Sequence, residues 1–305
     1  MSAYVSDILA PDPVSGNDPV SGNKPMGWNT LLWNRFRSNR LALAGVCLMG
    51  VFLLIALFAP WVAPYDPIEQ HLYERLSPPS VEHPFGTDDF GRDILSRVIY
   101  GTRISLRIGI VAVLIALSVG MAIGLAAGFY GGVTDQVLMR LMDLMLAFPS
   151  ILLAIGIVAV LGPGLENAML AIGVVAIPQY ARIIRASTLS VREADYVQAL
   201  RALGASDVRI IWTAILPNCL APLIVQTTLS LATAILDAAG LSFLGLGAQP
   251  PTPEWGAMIS GGRELILSAP WVMTFPGLAI FVTVLAFNLM GDGLRDAFDP
   301  KTITF

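Results

Sequence analysis

The stretch "YVQALRALGASDVRIIWTAILPNCLAPLIVQTTLSLATAIL" (196–236) changes character midway. Its first part is polar and broken by a glycine at 204, whereas from Ile210 to Leu236 it carries no charge. An uncharged run of that length exceeds the ~18 residues that mark a membrane-spanning helix. The polar part reads as helix, sharp turn, helix. Leu189, Tyr196, Leu200 and Leu203 recur at near-heptad spacing and predict one apolar stripe, with Arg192, Glu193, Gln198 and Arg201 on other faces. Gly204 stands where a helix ends in the left-handed conformation that glycine enters without strain. Ser206 or Asp207 is placed to cap the second helix. The expectation is a polar hairpin that leads straight into a membrane span.

The rest of the chain follows the same grammar. Charged residues make up only 13% of it, well under the ~25% usual for soluble domains. They divide it into apolar runs at 41–63, 108–128, 144–165, 167–181, 210–236 and 265–291. The run 167–181 is short and contains Pro178, yet it counts as a span because Arg182 and Arg185 can snorkel. This predicts an all-α polytopic membrane protein with six transmembrane helices. A β-barrel is excluded, because its strands alternate in short segments.

Lys24, Arg35, Arg37 and Arg40 precede the first span and argue for a cytoplasmic N-terminus. Threading six spans from there puts the hairpin between spans four and five, and the C-terminus, on the same side. Residues 1–34 carry a tandem DPVSGN repeat and read as a disordered tail rather than a signal peptide. The first span and an outer segment occupy 35–101, a bundle core 102–293 with the hairpin at 187–217, and a cytoplasmic end 294–305.

Two further motifs stand at the other side of the bundle. In "HPFGTDDFGRDILSRVIYGTRISL" (83–106), Thr87 can cap a helix with Asp88 and Asp89 in its first turn. Asp93 and Arg97 then form an i,i+4 pair on the polar face of an amphipathic surface helix. In "GLSFLGLGAQPPTPEWGAMI" (240–259), the proline run forbids a helix and turns the chain, and Trp255 is placed as an interfacial anchor.

Few side chains suggest chemistry. Asp237 interrupts an apolar run near the outer boundary of its span, and intramembrane acids face a bundle or a wet cavity, so it is a candidate either for a packing hydrogen bond or for lining a pathway. Asp143 pairs most simply with Arg140, and Asn288, Asp292 and Arg295 with cytoplasmic neighbours. Cys47 and Cys219 read as packing residues. His71 and His83 lack ligand spacing, so no metal site is expected from this chain. Lys24 and Lys301 are the two lysines, and neither follows a phosphate-cradling glycine turn. No nucleophile–base arrangement stands out, and the second hairpin helix is too apolar to read DNA. A non-catalytic chain without a cofactor of its own is expected.

Tyr196, Ala199, Gly204, Ala205, Ser206, Leu216 and Pro217 resemble the coupling-loop motif of binding-protein-dependent ABC importers. Gln198, Leu200 and Ala214 depart from it, standing where the motif has glutamate, alanine and isoleucine. The 83–106 and 240–259 motifs are similar to signatures of the second permease subunit of dipeptide and oligopeptide importers, and the resemblance spans most of 35–300. It implies a type I ABC importer permease fold in the bacterial inner membrane. It also implies a heterodimer with a homologous permease, two ATPases that hold ATP and Mg²⁺, and a periplasmic solute-binding protein. Tyr196, Gln198, Ala199, Arg201, Gly204, Ala205, Ser206, Leu216 and Pro217 would then couple to the ATPases. Gly86, Asp88, Gly91, Arg92, Asp93 and Arg97 are candidates either for a structural elbow that sets the angle of the second span or for contact with the binding protein or the partner permease. Importers of nickel chelates or glutathione share this architecture. A secondary transporter would place ionisable relays in mid-membrane, where this chain is nearly free of charge.

Overall fold

The computed structural model describes residues 36–298. The tail at 1–34 and residues 299–305 of the C-terminal segment lie outside the described residues. Among those described, the chain is helical with no strand beyond one isolated bridge, Thr87 to Asp93.

Helix α1 spans Arg40–Val62, capped by the Asn39 side chain, which accepts from the Leu41 and Ala42 amides at 3.1 Å. A loop of compact turns follows, then α2, Ile94–Tyr130, the longest apolar helix of the first half. Helices α3, Gly132–Leu146, and α4, Ser150–Leu161, form an apolar pair bent by 92° at Ala147–Pro149. Helix α5 is Leu165–Arg192. The hairpin holds α6, Asp195–Ala202, and α7, Asp207–Ile210. A wide turn at Ile211–Ile215 joins α7 without interruption to α8, Leu216–Phe243. Short α9, Trp255–Gly262, and long α10, Trp271–Phe298, complete the bundle. Among the described residues five helices are long and apolar enough to cross a membrane, or six if the bent pair is counted as one span.

Three boundaries differ from the sequence expectation, each for a physical reason. The short fourth span is in fact the 28-residue α5, because its charges do not end the helix. They pair across to α3, Arg182 with Asp143 at 2.6 Å and Arg185 with both oxygens of Asp135 at 2.5 and 2.6 Å. The expected Asp143–Arg140 pair is therefore replaced by Asp143–Arg182. The run 144–165 is not one straight span, since Pro149 biases its predecessor away from helix and breaks the ladder. The last span begins at Trp271 rather than 265, where Pro270 accepts the first amides of the new helix from Met273 and Thr274.

The core forms where α2 crosses α5. Gly120, Gly124 and Gly128 lie one turn apart and bring the two backbones together. A Cβ at Gly120 would stand 2.5 Å from Tyr180 Cβ, and one at Gly124 2.5 Å from the Ala181 carbonyl. This small-residue spacing lets helices approach where lipid supplies no hydrophobic drive between them. Ile108, Ala112, Ala116, Tyr180, Ile184 and Leu223 fill the space around the crossing.

The helices define two ends. Asn39 donates to Asp296 at 3.2 Å, so α1 begins where α10 finishes. Arg201 of the hairpin lies over the Phe129 ring, which puts the hairpin beside the end of α2. The opposite end is closed by the 64–93 loop and the 244–270 segment, here termed the cap.

Candidate functional site

Three regions carry groups able to act: the hairpin, the cap and a polar strip along α8.

The hairpin turn is built as expected. Gly204 has φ +75, the Ala205 amide donates to Leu200 O at 3.0 Å, and the Gly204 amide to Arg201 O at 2.9 Å. That pair of bonds is the Schellman closure of a helix end. Ser206 occupies the N-cap position of α7, but its side chain makes no capping bond. The expected stripe is corrected. Because α5 stops at Arg192 and α6 starts at Asp195, the helical phase breaks, and Val197 is the residue of α6 that is buried. Tyr196 and Leu203 point outward instead, along with Val208 and Trp212, at 48–84% exposure.

Gln198, Ala199, Arg201, Gly204, Ser206 and Pro217 are exposed on the same knob, with Ala205 and Leu216 half-buried at its base. Gln198 donates to the Arg192 carbonyl at 3.2 Å, and Tyr196 accepts from Asn218 at 3.2 Å. The root is firm. Val197, Ile210, Ala214 and Ile215 belong to the main core, and Arg192 donates to Gly128 O at 2.9 Å.

The cap takes up the 83–106 motif differently from the sequence reading. The helix starts at Ile94, with Asp93 as its cap, and is continuous with the second span, so there is no separate amphipathic surface helix. Thr87 caps nothing; its hydroxyl donates to the Glu74 carbonyl. Asp88 Oδ1 accepts from the Phe90 and Arg92 amides, and its Oδ2 accepts from Arg92 Nε at 2.7 Å. Arg97 faces Asp88 at 3.6 Å rather than Asp93, and its Nη1 donates to Pro67 O at 2.8 Å. Asp93 accepts from the Ser96 amide and hydroxyl, and pairs with His83 Nδ1 at 2.9 Å.

Asp88, Arg92, Asp93 and Arg97 are all buried, as are Gly86 and Gly91. Gly91, at φ +73, lies so close to the His71 backbone that a Cβ would stand 1.9 Å from its carbonyl oxygen. The motif thus knots the cap to the tops of α2 and α10, where Trp271 Nε1 donates to Thr87 O. At its rim, the half-buried Asp89 carboxyl is raised by burial and then by Asp88, with Arg92, its own amide and Arg75 opposing.

In the 240–259 motif the proline run turns the chain after α8 as expected, but Trp255 is not an interfacial anchor. It is fully buried and donates to Val98 O at 3.0 Å. Sequence reasoning missed Glu254, whose buried carboxylate caps α9 by accepting from the Gly256 and Ala257 amides at 2.9 and 2.8 Å. Burial pushes its carboxyl up, the two amides and Ser242 partly offsetting the rise. Glutamate is not among the favoured cap residues, so no pattern signals it.

The strip was also missed, although its spacing is plain in retrospect. Gln226, Ser230, Thr233 and Asp237 follow at four, three and four residues, one face of α8. Gln226 donates to Ser230 Oγ at 2.9 Å and to Gln179 Oε1 of α5 at 3.4 Å. Asp237 lines a cavity of about 200 Å³ with Gln179, Ser150 and Thr233, beside the α3–α4 break at Phe148. Among the described residues no group of three or more His, Cys, Asp or Glu stands close enough to hold a metal ion.

A bent apolar helix pair, a rooted hairpin between α5 and α8 and a closed cap define a helical membrane permease subunit. Residues 120–304 match the family described as binding-protein-dependent transport system inner membrane component, and residues 28–79 match the N-terminal TM domain of oligopeptide transport permease C. The chain belongs to this ABC importer permease family. It is 49% identical over 298 residues, 98% of each chain, to the dipeptide transport system permease protein DppC of Alkalihalophilus pseudofirmus. It is 48% identical to the glutathione transport system permease protein GsiD of Escherichia coli O6:K15:H31, over 88% of this chain and 89% of that one. Its fold is shared with a chain of the MetNI methionine ABC transporter in an inward-facing conformation. The TM-score there is 0.56 at 20% identity, covering 68% of this chain and 98% of the other.

Proposed function

We propose that this chain is one of two homologous permease subunits of an ATP-driven importer of dipeptides and short oligopeptides. The observation that carries the cargo is the 49% identity, over nearly the whole of both chains, to a dipeptide transport permease. The chain lies in a bacterial inner membrane with its hairpin and both ends in the cytoplasm, in keeping with the basic residues that crowd the hairpin end. Two partner ATPases bind ATP and Mg²⁺, and a periplasmic solute-binding protein delivers the peptide to the cap end.

The hairpin couples the two. Tyr196, Leu203, Val208 and Trp212 form an apolar knob for a groove on the ATPase, with Gln198, Ala199, Arg201, Ser206 and Pro217 around it. Because Val197, Ile210 and Ile215 are set in the bundle core, displacement of the knob acts on α5 and α8, the two helices it joins. The cap motif, from Gly86 through Arg97, acts as scaffold for the surface that meets the binding protein, and exposed Phe90 is its outward-facing member.

The 48% identity to a glutathione permease supports a second reading, glutathione as cargo. Uptake of labelled dialanine and of labelled glutathione by the reconstituted transporter, with its own binding protein, separates them. Preferential dialanine uptake that requires ATP is expected. Glutathione uptake exceeding dialanine would overturn the peptide reading.

A further inference from the structure

Beyond Arg209, Asp237 is the one charged side chain in α8, and it lies six residues before the helix ends at Phe243. At 1.5 Å per residue that is about 9 Å into the helix from the cap end. Asp135 is matched by Arg185, Asp143 by Arg182 and Glu166 by Arg107, while Asp292, also without such a partner, is exposed near the end of α10. Asp237 has no hydrogen-bond or ion-pair partner among the described residues. A carboxylate left alone in a membrane bundle is costly, and it persists where it faces water or a ligand.

Its surroundings indicate the ligand's chemistry. Gln179, Ser150 and Thr233 line the same cavity and add neutral oxygen acceptors, while no cationic side chain lines it. One anion with several neutral acceptors suits a primary ammonium, which has three hydrogens to donate and one charge to neutralise. The strip from Gln226 to Asp237 runs eleven residues, about 16 Å, or half the ~30 Å hydrocarbon core. Gln179 and Thr233 are exposed and Gln226 and Asp237 half-buried, so the strip reaches the surface of the subunit, with Ser230 buried behind it.

We propose that Asp237 binds the α-ammonium group of the peptide in transit, and that the Gln226–Ser230–Thr233 strip with Gln179 forms this subunit's wall of the conduit. This rests on the peptide reading above. The free N-terminus would engage Asp237 after leaving the binding protein, and the strip would carry the peptide's amides toward the hairpin end.

The test uses the complete transporter in proteoliposomes. Asp237→Asn is expected to lower uptake of free-amino dipeptides about tenfold, the scale of one lost charge-assisted hydrogen bond, with subunit yield unchanged. Asp237→Glu is expected to keep most of the uptake. In parallel, Thr233→Cys in a Cys47→Ala, Cys219→Ala background reports the site's charge without reference to cargo. A cationic thiol reagent is expected to label it several-fold faster than an anionic one of similar size, and Asp237→Asn to abolish that preference. Normal dipeptide uptake by Asp237→Asn overturns the proposal. So does a cysteine at 233 that neither reagent reaches, since Asp237 would then be packed against the partner permease. A transporter that carries no peptide but keeps the charge-selective labelling refutes the peptide cargo, while the cation site itself stands.

Discussion

Substituting Gly124 by alanine adds one methyl at the tightest point of the α2–α5 crossing. Its Cβ would lie 2.5 Å from the Ala181 carbonyl oxygen and 2.8 Å from Ile184 Cβ, against about 3.4 Å for ordinary contact. Both obstacles belong to a helix backbone or its first side-chain atom, so no rotamer change relieves them. The helices must part by nearly 1 Å. A gap of 0.5–1 Å forfeits a quarter to a half of each dispersion contact, and overpacked cores lose about 1–3 kcal/mol. Thermal unfolding in detergent should shift down by about 3–10 °C. Gly120→Ala should do the same, because its Cβ would meet Tyr180 Cβ at 2.5 Å. The double variant should cost less than the sum, because the first methyl has already opened the crossing. Gly156→Ala is the control, with nothing within 4 Å of the added carbon and a helical position where alanine is favoured. Gly124→Ala behaving like Gly156→Ala, or strict additivity of the pair, would refute the close crossing.

Gly204→Val should leave subunit yield intact, since a Cβ there meets nothing within 4 Å and only the left-handed backbone is strained, by about 1–2 kcal/mol or more for a β-branched residue. Peptide uptake should fall sharply, whereas Gly204→Asn, which tolerates that conformation, should retain most of it; equal uptake by both variants would exclude a role for hairpin shape. Gln198→Glu should transport near the wild-type rate, because its one bond, to the Arg192 carbonyl, lies at the surface. Glu254, held above the ordinary glutamate value by burial, binds its proton more tightly folded than unfolded. Stability should therefore decline as pH rises from the ordinary glutamate value through the raised one, and Glu254→Gln should flatten that slope in detergent melts.

The parts of this fold that were legible in the sequence are those set by local chemistry. The turn at Gly204 needed only a glycine after an amphiphilic helix, and the spans needed only uncharged length. What was not legible depends on partners remote in sequence. Arg182 and Arg185 read as the end of a membrane segment until Asp143 and Asp135 are seen to meet them from α3. Asp88, Arg92, Asp93 and Arg97 read as surface charge, yet they are interior because the loop from His71 to Gly86 folds over them. Two signals were readable and went unread: the glycines at 120, 124 and 128, and the four-three-four polar spacing from Gln226 to Asp237. Both depend on small or neutral residues, which a search guided by charge passes over.

The positions of hairpin and strip bear on how ATP energy would reach the peptide. The strip residues lie on α8 and Gln179 on α5, and those are the two helices whose extensions make the hairpin. If Tyr196 or Trp212 meets an ATPase and the strip walls a conduit, as proposed above, no separate linkage between them is needed. From Ile215 at the root of the hairpin to Gln226 is eleven residues of continuous helix, about 16 Å. Pro222 lies inside that stretch and removes one bond of the ladder, so a tilt imposed at the hairpin would reach the strip through a helix weakened at that one point. Gln226 meets Gln179 at 3.4 Å, a long bond between neutral groups that a small relative movement of α5 and α8 would break. The weak junction thus lies where the two helices must slide for the conduit to change shape. The glycine crossing holds α5 closely to α2, so relative movement at this junction would fall to α8, which itself packs on α2, α5 and α10.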